Sequence, residues 1–147
     1  MGENVELIVS DNRSDPATAI NQYERFINVD GVDAVFGTFS SRLTFPVANI
    51  LARNGFVHPI PAGGALRIYT QGHKNLFYFQ PNAAEYVGSS LRDMIRDLVD
   101  EADRPKTAAV VVADDFFANA VEAGFLGLEV VDPADGSVVQ DMAPGYL

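Results

Sequence analysis

Short apolar runs alternate with amphipathic stretches along this chain, each bounded by glycine or proline, and this alternation limits the fold more than any other feature. Residues 5–9 are rich in β-branched side chains and predict a first strand. Asp15-Pro16 then offers an N-cap and a proline suited to the first helical position. Ile20, Tyr23, Phe26 and Ile27 follow at helical spacing, and Asp30-Gly31 predicts the stop. Residues 32–36 predict a second strand. A serine-rich loop, 38–41, leads to a helix carrying Leu43, Val47, Ile50 and Leu51, with Gly55 as its C-terminal cap. Residues 56–60 and 76–79 predict two more strands, the first running into Pro61-Ala62-Gly63-Gly64 and the second ending at Pro81.

The clearest helical pattern comes next. Tyr86, Val87, Leu91, Met94, Ile95, Leu98 and Val99 form one apolar stripe, with Arg92, Asp93, Arg96, Asp97 and Asp100 opposite it. Arg104-Pro105-Lys106 ends it. Residues 107–112 are nearly all apolar, as in a strand buried on both faces of a parallel sheet. A short helix near 117–123, a strand at 128–131 and a turn at 132–136 follow. Repeated β-α-β units with short connections imply an α/β fold built on a doubly wound parallel sheet. Ligands in such sheets sit beyond the carboxyl ends of the strands. That rule points to three loops: 11–15, 37–41 and 61–64. A boundary is expected near residues 81–84 or in the 104–106 break.

Composition removes several functions. The 147 residues, 48% hydrophobic and 20% charged, can bury a core, and no apolar run approaches the roughly 18 residues of a membrane span. Met1-Gly2-Glu3-Asn4-Val5 has no basic stretch leading into an apolar one, so no secretory signal is read and the chain as given is expected in the cytoplasm. With no cysteine there are no disulfides, thiol nucleophiles or thiolate metal sites. The net charge of −10 makes nucleic acid and anionic membranes poor partners. Lys74 and Lys106 are the lysines, and Asp outnumbers Glu. Such a surface belongs either to a protein adapted to high salt or to an ordinary solvated one.

The candidate site residues lie in the loops. Ser40 and Ser41 precede a helix, where a hydroxyl caps the first turn or the free N–H groups hold an anion such as a carboxylate. Ala62, Gly63 and Gly64 follow a strand, where glycine lets a ligand approach the backbone or simply makes a turn. No G-x-G-x-x-G or P-loop pattern is present, so no cofactor is expected. Asp11, Asp15, Asp114 and Asp115 are loop carboxylates that read as caps and strand ends before acid–base groups. His58 and His73 read as packed or surface histidines, because a metal site would need carboxylates at positions nothing predicts. No nucleophile elbow surrounds any serine, so no catalytic residue is assigned. Phe116 and Phe117 follow a buried strand, where a ring can project into a cleft.

Several segments together resemble the branched-chain amino-acid subfamily of type 1 periplasmic (solute-binding) proteins. These are ELIVSDNRSDPATA at 6–19, VDAVFGTFSS at 32–41, PAGGA at 61–65, NLFYFQP at 75–81 and the strand-to-helix segment at 106–120. The resemblance implies two α/β lobes closing on an amino acid or similar small solute, with delivery to the membrane subunits of an ABC transporter. It implies lobe one at 1–82, without the family's first strand and helix, and the start of lobe two at 83–147. Carried over by position, Ser41 holds the ligand carboxylate through its hydroxyl and backbone, and Ala62 and Gly64 supply backbone groups, the ligand ammonium meeting the Ala62 carbonyl; Ser40 and Gly63 complete the ligand-binding set beside them. Phe117 falls where the family often has a tyrosine facing the cleft.

The departures are that Gly64 replaces a common hydroxyl residue, that Phe117 lacks a hydroxyl, that Ala118 replaces a glycine, and that Phe79 stands near the usual arginine. They leave the ligand open. The resemblance also implies a periplasmic or cell-surface location, a helix after Phe117 that is a turn or more short, and a sheet edge free to self-associate. A ligand-sensing domain of a receptor is the alternative role. An α/β enzyme would need a nucleophile, metal or cofactor loop that the residues do not supply.

Overall fold

A computed structural model describes residues 4–81, 83–127, 130–131 and 138–140. Helix α1, Pro16–Arg25, starts as its sequence dictates. Pro16 takes the first position, and the Asp15 carboxylate accepts from the Thr18 N–H and the Thr18 hydroxyl, both at 2.7 Å. The helix continues through a π turn, Phe26–Asp30, and Gly31 ends it at φ +64°. Helix α2, Ser41–Arg53, packs along α1. Its Leu43, Val47, Ile50 and Leu51 meet Ala19 and Tyr23 of α1 in a first core cluster, flanked by Phe26, Val35 and Phe56. Full burial of each such aliphatic side chain contributes roughly 1.5–3 kcal/mol. Gly55, at φ +74°, follows the last turn of α2.

Strands β1, His58–Ile60, and β2, Leu76–Tyr78, pair in parallel with His58 opposite Leu76 and Ile60 opposite Tyr78. Asn75 extends the pairing, its carbonyl accepting from His58 N–H at 2.8 Å and its side chain donating to the Phe56 carbonyl at 2.7 Å. The crossover between them is the 61–65 loop and a 3₁₀ stretch, Leu66–Gln71. Ile60, Ala65 and Ile68 form a second buried cluster against Phe45, Tyr69, Leu76, Tyr78 and Phe116. After β2, a π turn, Ala83–Gly88, runs into α3, Ser89–Leu98, and α4, Phe116–Leu126, packs chiefly against that turn. Strands β3, Val130–Val131, and β4, Val138–Gln140, form a small antiparallel pair.

Three expected strands differ. Residues 5–9, 32–36 and 107–112 join no ladder among the described residues. Most of their side chains face solvent, Val5 at 91% exposure, Phe36 at 72% and Val111 at 95%, while Val35 packs against the first core cluster. Among the described residues, the parallel sheet that the periodicity implies is therefore represented by β1 and β2, because a strand exists only where a neighbour completes its hydrogen bonds. The stripe on α3 is corrected for the same reason. Leu91, Met94 and Leu98 are exposed, with no sheet laid against them. Arg92, expected on the solvent side, turns inward instead, its guanidinium reaching the Gly124 carbonyl at the end of α4.

The helix after residue 115 is also longer than expected, at 11 residues. Asp115 caps it, accepting from the N–H groups of Phe117 and Ala118 at 2.8 and 2.9 Å, and Gly127 closes it at φ +69°. The turn at 132–136 and residues 128–129 of the last expected strand lie outside the described residues.

Candidate functional site

The start of α2 draws two loops together. From one side comes the 37–41 loop. The Gly37 carbonyl receives His58 Nε2 at 2.5 Å, and the Phe36 carbonyl accepts from the Tyr23 hydroxyl at 3.2 Å. Thr44 Oγ1 donates its one proton to the Ser40 carbonyl at 2.8 Å, so in its 2.7 Å contact with Thr38 the Thr38 hydroxyl is the donor.

From the other side comes the 61–65 loop. Gly63 sits at φ +126°, where a Cβ would come within 3.0 Å of Thr44 Oγ1, so both conformation and space require glycine. The Gly63 carbonyl accepts from the Tyr69 hydroxyl at 2.8 Å, the Gly64 carbonyl accepts from Ala83 N–H at 2.9 Å, and the Ala65 N–H donates to Ser41 Oγ at 3.2 Å. The Ala62 carbonyl receives no hydrogen bond from the described residues. A Cβ at Gly64 would come 2.8 Å from the Tyr78 hydroxyl and 3.2 Å from the Ala83 nitrogen.

The N-terminus of α2 differs from those of α1 and α4. Ser40 occupies its N-cap position, but its side chain makes no capping bond, whereas Asp15 and Asp115 cap theirs. The Ser40 carbonyl takes the Leu43 and Thr44 N–H groups at 3.0 and 2.9 Å. The N–H groups of Ser41 and Arg42 are left without an acceptor among the described residues, at the positive end of the helix dipole. Ser41 Oγ already accepts from Ala65, so its own proton remains available. Ser41 and Ala62 are buried, Ser40 is half-buried and Arg42 is exposed, so approach is from the Ser40–Arg42 side.

Ser40, Ser41, Ala62, Gly63 and Gly64 are thus brought together around one helix start. Phe117 lies on the first turn of α4, partly exposed. The ring that reaches the site elements is its neighbour Phe116, set edge-on to Phe45 with centroids 5.3 Å apart. The residues alone leave Phe116 and Phe117 open, since both follow the same apolar run, and the resemblance points to Phe117. Of the loop carboxylates, Asp11 accepts from the Arg13 N–H at 2.8 Å, and Asp15 and Asp115 are caps. His73 contacts Asn49 Oδ1 at 3.1 Å. No group of three metal-ligating side chains occurs among the described residues.

His58 is fully buried. A carbonyl only accepts, so Nε2 carries the proton and Nδ1 presents a lone pair with no partner. Burial disfavours the charged ring and holds its pKa below the ordinary value, with the Gly37 hydrogen bond opposing in part. The unfolded chain therefore takes up this proton at a higher pH than the folded one. Stability from His58 is fully present above about pH 6.5 and is lost as pH falls below it toward the folded pKa. The unfolding midpoint of the native chain is expected to fall more steeply between about pH 6.5 and 5 than that of His58→Gln. Parallel slopes in a pH series would refute it.

The family model described as periplasmic binding protein matches residues 1–145. The Leu/Ile/Val-binding protein homologs 1 of Brucella abortus and Brucella suis are 33% identical over 76 residues, 52% of this chain and 20% of theirs. An ABC transporter substrate-binding protein of Desulfitobacterium hafniense in complex with Leu superposes with a TM-score of 0.67 at 20% identity, over 82% of this chain and 34% of that one. The leucine-binding protein LivK of Thermotoga maritima gives 0.59 at 27% identity, over 65% and 27%. The chain thus spans about a fifth of the length of the curated relatives it matches. No helix among the described residues is long and apolar enough to cross a membrane. With the family model matching nearly end to end and the fold agreeing, this chain belongs to the periplasmic binding proteins and carries part of that fold.

Proposed function

We propose that this chain supplies the carboxylate-holding part of a solute-binding protein for an amino acid or similar small polar molecule. The observation that carries the reading is the uncapped start of α2, where the free N–H groups of Ser41 and Arg42 lie beside the Ser41 hydroxyl. A ligand carboxylate would accept from all three, and the shielded setting strengthens such charge-assisted bonds. The open Ala62 carbonyl would take the ligand's ammonium, while Tyr69 and Ala83 already occupy its two neighbours. Gly63 lets the loop pass close to Thr44, and Ser40 shapes the entrance.

In this reading residues 1–82 belong to one lobe and 83–147 to the start of a second. Closure of the lobes on the ligand is the working motion, with no bond made or broken. The whole protein would act in the periplasm or at the cell surface and pass its solute to ABC transporter membrane subunits.

Thermal unfolding with a panel of amino acids, small amides and carboxylates tests this, because a ligand bound only to the folded state raises the midpoint. Ser41→Ala removes one hydrogen bond to a charged group, worth about 1.5–3 kcal/mol, and is expected to weaken binding at least tenfold. Because the variant also leaves the buried Ala65 N–H without its acceptor, its unfolding midpoint without ligand is measured beside the affinity. Unchanged affinity in Ser41→Ala would remove the α2 start from the site.

A further inference from the structure

The guanidinium of Arg67 is held by aromatic rings and by nothing else among the described residues. Its central carbon stands 4.8 Å from the Phe116 ring centroid and 5.3 Å from that of Phe45. The two rings meet edge-on, so α2, the 3₁₀ stretch and α4 converge on one cation. Contact with ring faces restrains the guanidinium plane yet leaves its N–H fork unspent. No carboxylate of the described residues lies within ion-pair distance of it. The described ion pairs use Arg25, Arg53, Arg92 and Arg96, and the other cation beside Ser41, Arg42, acts on Asp15. In a chain with 20 acidic and 10 basic residues, an arginine fixed in place without an acidic partner is an unused anion receptor.

Its position joins it to the candidate site. Arg67 stands two residues after Ala65, whose N–H is on Ser41 Oγ. The Phe45 ring beneath it springs from α2 one turn beyond Ser41, and Cβ atoms four residues apart on a helix are about 5–6 Å apart. A ligand with two carboxylates, one at the Ser41 N–H and one at Arg67, would draw on both groups.

We propose that Arg67 sets the ligand class, its guanidinium taking a second carboxylate in bidentate fashion, so that an acidic amino acid or short dicarboxylate is preferred to a neutral one. The proposal rests on the carboxylate-binding reading of α2. The strongly negative surface repels an anionic ligand, which makes a fixed local cation necessary for such a choice.

The test is calorimetric titration of the full chain with L-glutamate, L-aspartate and succinate against L-glutamine and L-leucine, repeated with Arg67→Gln and Arg67→Lys. The native chain is expected to bind glutamate more than tenfold tighter than glutamine. Arg67→Gln should erase that preference while changing the affinity for glutamine less than twofold, and Arg67→Lys should restore part of it, keeping the charge without the fork. Binding of leucine or glutamine with no preference for glutamate overturns the role of Arg67 and leaves the α2 site standing. An equal loss for glutamate and glutamine in Arg67→Gln overturns it as well, since that is the mark of a merely structural residue. If none of the five ligands binds the native chain, both readings fall.

Discussion

Alanine at position 88 is expected to force α4 away from the start of α3 and to destabilise the fold by roughly 1–3 kcal/mol or more. A Cβ built on Gly88 would fall deep inside the Val121 carbonyl oxygen, 2.8 Å from Gly124 Cα and 2.9 Å from Phe125 N. All three are backbone atoms, so no rotamer change relieves the overlap. Gly88 ends the π turn against which α4 chiefly packs. The interface must therefore open along its length, and Arg92 loses its reach to the Gly124 carbonyl. Urea denaturation of Gly88→Ala beside the native chain measures the effect. A shift in midpoint worth less than about 0.5 kcal/mol, the usual range of a neutral surface change, would mean that α3 and α4 do not cross there.

Leu51→Ala is expected to cost about 2–5 kcal/mol. Leu51 is fully buried, at the centre of the cluster that joins α1 to α2. Its loss removes both transfer energy and the contacts of Ala19, Tyr23 and Val47, and the helix pair cannot close on the void without shifting the Ser41 end of α2. Against a typical domain stability of about 5–15 kcal/mol, that is a large fraction. Differential scanning calorimetry should show a lowered midpoint in a still-cooperative transition. A loss below about 1 kcal/mol would show that α1 and α2 are not packed through this residue.

What the sequence disclosed, and what it hid, divides along physical lines. Features decided within a few residues were readable. Asp15-Pro16 starts α1, Gly31 and Gly55 follow helix ends in left-handed backbone, and β1 and β2 fall within the runs predicted for them. Strand formation at 5–9, 32–36 and 107–112 was misread because an apolar run states only what could pair, and pairing needs a second segment in register. The α3 stripe failed with it, since a stripe is buried only where a sheet covers it. Arg92 was assigned to solvent by its charge, yet its long stem carries the guanidinium to a helix end.

The candidate site was legible as loops and not as a mechanism. Ser40, Ser41 and 62–64 could be named from their place after strands. The uncapped N–H groups, the Thr38–Thr44 bond, the tie from His58 to Gly37 and the stack of Arg67 on Phe45 and Phe116 link residues between 6 and 49 positions apart. Such links leave no mark in local periodicity.

On the proposed reading α2 serves structure and function at once. Its first turn carries Ser41 and Thr44, which tie the two loops, while its Leu43, Val47 and Leu51 pack in the first core cluster. On the proposed reading this limits evolvability: a substitution that retunes the carboxylate grip at Ser41 also breaks the tie to Ala65 that holds the two loops together, so drift there is selected on two counts. Ser40, Arg42 and Arg67 reach the same region from outside the core. A lineage exploring new solutes can change those three at little structural risk, and divergence of ligand preference is expected to accumulate there while the buried face of α2 stays fixed.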